Sequence, residues 1–168
     1  FGAPASSTPD LTTDGWSVSL LVEVGGSSAL DASFGMKTDA TNGFDENLGD
    51  LVLPPGFSGV ESYFYHPDNP SSPVNLGKLY ASYLPEEYPA NWTFKVHTFT
   101  GVSGESTLSW SASDITFIPN DYTVNLDTPT DSVDMREETQ YTWTAEEDTA
   151  YTFTITLTSE TEFTLELE

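Results

Sequence analysis

The chain has 168 residues, 27 of them Asp or Glu against 4 Lys or Arg, a formal net charge of −23 and no cysteine. The length suffices for one domain with a real core. The charge argues against nucleic acid and an anionic bilayer surface as partners, since both need clustered Lys and Arg, and the absent thiols exclude disulfides, thiolate metal sites and Cys nucleophiles.

Residues 1–13, FGAPASSTPDLTT, are small and polar with two prolines, and read as an N-terminal extension. The chain opens on Phe1 and reads as a mature product whose leader was removed. From Gly15 onward almost every segment alternates apolar and polar residues, the mark of a strand with one buried face. WSVSLLVEV sets Trp16, Val18, Leu20, Val22 and Val24 on one face, and ALDASFGM does the same with Leu30, Ala32, Phe34 and Met36. The loop DATNGFDENLGD then gathers Asp39, Asp45, Glu46 and Asp50 with Asn42 and Asn47. Hard oxygen ligands at such spacing suit Ca²⁺, although the order is not that of an EF-hand. The competing reading is a loop whose Asx side chains bond their own backbone. No other cofactor is expected.

Two Pro-rich loops, 53–59 and 67–73, flank the strand GVESYFYH. This strand is aromatic on both faces, as expected of one covered on both sides. In NWTFKVHTF, Trp92, Phe94 and Val96 face opposite Lys95 and His97, and Asn91-Trp92-Thr93 is a sequon that marks Asn91 for an N-glycan. STLSWS, DYTVNLD and TQYTWTA continue the alternation, and AEEDTA after them reads as a hairpin tip. Turn chemistry separates all these segments, and no window shows a helical stripe. The pattern predicts an all-β fold, a single antiparallel β-sandwich of about nine to ten strands, immunoglobulin-like or jelly-roll-like.

The four tryptophans fall on apolar faces and belong to the core, leaving Tyr63, Tyr65 and Tyr83 as the aromatics best placed for exposure. Arg136, the only arginine, sits among Asp134, Glu137 and Glu138 and reads as a buried fork between carboxylates. His66 and His97 read as loop and surface histidines. No nucleophile elbow, HExxH or phosphate loop is present, and the chain is not expected to be an enzyme.

Two stretches carry a family resemblance: FGMKTDATNGFDENLGDLVLPPG with YFYHPD, and STLSWS through DMREETQYTWTAEEDTAYTFTITL. They resemble a β-rich module of secreted and surface-attached proteins of bacteria and archaea, over residues 15 to 158. The resemblance implies an extracellular β-sandwich and brings no established catalytic activity with it. The sequon and the Thr- and Ser-rich composition lean toward the cell exterior as well. The module would finish near YTFTITL, and the ten residues that follow are surplus to it.

Those residues continue an alternation that begins at Tyr151 and runs through Phe163, Leu165 and Leu167, with Thr or Glu between. An unbroken strand of that length would reach ~60 Å, against roughly 40 Å for a compact domain of this size. The domain plan is therefore an extension at 1–13, a sandwich at 14–158 and a C-terminal strand at 159–168 given to a neighbouring copy. The expected function is a structural subunit of an extracellular, pilus-like filament, a homopolymer joined by strand donation through Phe163, Leu165 and Leu167. Its partners are other copies of itself, with no nucleic acid and no direct membrane insertion. The alternative is a surface-exposed, adhesive β-sandwich that recognises glycans or protein.

Overall fold

The computed structural model describes residues 15–40, 51–52, 58–65, 78–85 and 89–159. The N-terminal extension, the two Pro-rich loops through most of their length, His66, and Asp45, Glu46 and Asp50 lie outside the described residues. So do Phe163, Leu165 and Leu167.

The described residues form a β-sandwich, as the alternation predicts. In chain order the strands are β1 (Gly15–Val24), β2 (Ser27–Ser28), β3 (Ala32–Lys37), β4 (Leu51–Val52), β5 (Val60–Tyr65) and β6 (Lys78–Leu84). They continue with β7 (Ala90–Thr98), β8 (Gly104–Trp110), β9 (Tyr122–Asp127), β10 (Ser132–Asp134), β11 (Gln140–Ala145) and β12 (Ala150–Ser159). One four-residue helix, α1 (Ala112–Ile115), is capped by Ser111, whose hydroxyl accepts from the Ser113 and Asp114 amides.

Ten strands lie on one hydrogen-bonded path, β10-β9-β12-β7-β5-β6-β3-β1-β8-β11, with β2 beside β1 and β4 beside β6. Aromatic contacts show that the path folds over on itself. Trp16 of β1 meets Trp92 of β7 at 6.1 Å between ring centroids, and Phe34 of β3 meets Trp92 at 5.0 Å and Phe64 of β5 at 6.0 Å. Farther along, Trp143 of β11 packs edge-on to Phe153 of β12 at 5.3 Å. One layer is therefore built on β3, β1, β8 and β11, the other on β5, β7, β12 and β9, and the inward faces of both supply the core. Gly35 allows β1 and β3 to close up: a Cβ there would lie 2.0 Å from the Trp16 carbonyl oxygen.

Four details differ from the sequence reading. One pairing, β3 with β6, is parallel. Parallel neighbours need a long connection, and residues 38–77 supply it. Leu30 is 60% exposed, because it precedes β3 and is not part of its pleat. Trp143 is half-buried, because β11 ends the path and has no strand on its far side among the described residues. Residues 145–150 do not form a hairpin tip. β11 pairs with β8 and β12 pairs with β7 and β9, so AEEDTA crosses from one layer to the other.

That crossing is clamped by Thr98, which is fully buried. Its hydroxyl donates to the Glu146 carbonyl at 2.5 Å and accepts from the Thr149 amide at 3.0 Å. Asp148 takes the left-handed turn with φ of 52°. Its carboxylate accepts from the Thr100 hydroxyl at 2.9 Å.

Candidate functional site

Two features of the fold bear on function: the ends of the strand path, and a cluster of cations and tyrosines on the outer face.

The ends of the path are β10 and β11. β10 is three residues long and carries Asp134, a short charged edge of the kind that resists further pairing. β11 is six residues long, and Gln140–Ala145 contains no charge, Pro or Gly. The Trp110 amide donates to the Thr139 carbonyl, which fixes the phase of the β8–β11 ladder. By antiparallel alternation the amides and carbonyls of Gln140, Thr142 and Thr144 point away from β8. Tyr141 and Trp143 face inward, half-buried and stacked at 6.0 Å with an interplanar angle of 21°. Between the two edges runs an open groove of about 430 Å³, lined by Val133, Asp134, Glu137, Glu138, Tyr141 and Thr142 among others.

The strand that leads toward the C-terminus lies in the middle of its layer. β12 pairs with β7 down to Leu157↔Ala90 and with β9 down to Ser159↔Tyr122. Ala90 and Tyr122 are the first residues of their strands. Before Tyr122 the chain turns, and the Tyr122 amide donates to the Pro119 carbonyl at 3.2 Å. Arg136 fixes that turn. Its guanidinium donates to the carbonyls of Pro119 and Tyr122 at 2.9 Å each. The expected fork between carboxylates is thus a fork on main-chain oxygens: the turn brings two carbonyls within reach of one planar guanidinium, whose Nε also donates to the Tyr122 carbonyl at 3.2 Å.

On the outer face of β5, β6 and β7, pairing brings Glu61 opposite His97, Tyr63 opposite Lys95, and Tyr65 opposite Lys78. Glu61 is buried. Its Oε2 lies 2.9 Å from Lys78 Nζ and 3.5 Å from His97 Nδ1, while Oε1 has no hydrogen-bond partner among the described residues. Lys78 lies over the Tyr63 ring at 4.8 Å and Lys95 over the Tyr65 ring at 4.5 Å. Burial raises the Tyr63 phenol above its ordinary value, opposed by Lys78 and assisted by Glu61 and Tyr65. Half of the chain's four Lys and Arg residues meet here. Tyr65 is exposed as the sequence predicts, and Tyr63 is buried beneath Lys78.

Of the expected acidic cluster only Asp39 is among the described residues, exposed in the turn after β3, and among the described residues no three His, Asp or Glu converge as a metal site. Asn91 is exposed on β7 opposite Thr156 of β12, where its amide is accessible. Tyr83 is half-buried, its hydroxyl 3.2 Å from Ser17 Oγ and its ring beneath Lys37.

Glu61 is the residue that sequence reasoning passed over. It is one of 27 acids, and its signal lies in its neighbours: a lone charge inside the aromatic strand GVESYFYH. No family model matches the chain, and no curated protein or solved structure is significantly similar to it.

Proposed function

We propose that the protein is a structural subunit of an extracellular filament, joined to the next copy by its C-terminal strand. One observation carries this reading. β12 uses β7 and β9 to their first residues and is fully paired by Ser159, whereas the apolar alternation in the sequence goes on through Phe163, Leu165 and Leu167. A sheet edge of another copy offers main-chain pairing and alternate side-chain pockets to such a segment. Burial of the three side chains contributes on the order of 5–8 kcal/mol before ordering costs. A head-to-tail contact does not close on itself and propagates into a fibre.

Electron microscopy and light scattering of the full chain and of a chain ending at Ser159 test this. The full chain should form filaments and the shortened chain a folded monomer. Phe163→Asp should behave like the truncation, because the charge enters the partner and not the subunit's own core. Filaments from the shortened chain would end the proposal.

A second reading, a surface module that binds glycan or protein, is favoured by Lys95 lying over the exposed ring of Tyr65. Loss of glycan or protein binding in Tyr65→Ala, with filament formation absent in the unsubstituted chain, would support it.

A further inference from the structure

We infer that the free edge of β11 is the surface that receives the strand, its occupant being residues 160–168 of a second copy. This rests on the strand-donation reading above and names the acceptor that reading needs.

Among the described residues β10 and β11 end the strand path, and the one-sided β2 and β4 have only two residues each. β10 has three residues and a charged edge. β11 has six, without charge or proline, and directs the main-chain groups of Gln140, Thr142 and Thr144 outward. Six strand residues span about 17 Å from first to last, and Phe163 to Leu167 span about 13 Å, so the apolar run fits the edge.

Chemistry and face agree as well. A strand laid along β11 sets alternate side chains on the inner side with Tyr141 and Trp143, and the others on the outer side with Gln140, Thr142 and Thr144, while the groove that Val133 and Tyr141 help to line gives the strand room at the edge. The tail offers Phe163, Leu165 and Leu167 in one phase and Glu162, Thr164 and Glu166 in the other. Aromatic and aliphatic cross-strand pairs then meet on the inner side, and Thr meets Thr on the outer side. The groove is rimmed by Asp134, Glu137 and Glu138, and the tail carries glutamates. The joint therefore forms against like-charge repulsion and is strengthened by salt.

The absence of native cysteine makes disulfide trapping clean. The full chain carrying Thr164→Cys is combined with Thr142→Cys, with Thr144→Cys or, on the other edge, with Ser132→Cys, and each is oxidised during assembly. Whichever of the first two faces Thr164 in the joint should give intermolecular ladders on non-reducing gels, and the third should not. A companion variant, Thr142→Pro, removes an amide that points away from β8. It should keep the unsubstituted circular dichroism spectrum and lose filament formation. Crosslinks confined to Ser132→Cys, none at any of the three in filaments that form, or filaments from a folded Thr142→Pro, would each overturn β11 as acceptor while leaving strand donation intact. Should Thr142→Pro unfold, the crosslinks decide alone. Filaments that persist when residues 160–168 are removed would overturn strand donation itself, and the acceptor with it.

Discussion

Single side chains hold the places where the chain changes layer or direction. Thr98 serves the crossing from β11 to β12 with one hydroxyl that both donates and accepts. Thr98→Val keeps the shape but leaves the Glu146 carbonyl and the Thr149 amide short of partners. The expected cost is about 1–3 kcal/mol in urea denaturation, with Thr98→Ser retaining most of the stability. Arg136 serves the turn before β9 through a planar fork that a single ammonium does not reproduce. Arg136→Lys should cost about 1.5–3 kcal/mol by the same measurement. Tyr63 gives the fold a limit in alkali. Its folded pKa is raised, so the unfolded chain releases the proton first. Its contribution is therefore fully present below the unfolded value of about 10 and is lost as pH rises from there through the folded value. Thermal melts between about pH 9 and 11 should show a steeper decline for the unsubstituted chain than for Tyr63→Phe.

Strand existence was legible in the sequence because it is local. Val18, Leu20, Val22 and Val24 are buried at every second position of β1, and Phe153, Ile155 and Leu157 do the same in β12. Pairing was not legible, because it joins residues far apart in the chain. Nothing in TQYTWTA says that β11 lies beside β8 and not beside β12, and AEEDTA has the composition of a tight turn while acting as a crossing. For the same reason Trp143 was placed with the core tryptophans: alternation gives the face, not whether the strand has a neighbour. The candidate site divides likewise. The alternation past Ser159 was readable, whereas the place of β11 at the end of the described strand path and the setting of Glu61 arise only from strand order. Close approach between strands is equally hidden in sequence. Gly35→Ala should push β1 and β3 apart, because a methyl group would meet the Trp16 carbonyl, and should lower stability by about 1–3 kcal/mol in thermal or urea denaturation.

At the scale of the whole molecule the net charge of −23 sets the conditions. Self-repulsion opposes the compact state, and the Debye length falls from about 10 Å at 0.1 M salt to about 3 Å at 1 M. The melting temperature of the chain ending at Ser159 should therefore climb with salt concentration. A flat or falling trend would show that the acids are already neutralised within the fold. The central position of β12 has a mechanical consequence. A pull applied at Ser159 along the axis of β12 is resisted by eight paired residues of β7 and six of β9 together. Hydrogen bonds loaded in shear must break in concert, while those at a peeled edge give way singly. In a filament joined as proposed, tension between successive copies would thus reach the part of the sandwich best able to withstand it, and stretching should part the joint between copies before the subunit's own sheet opens.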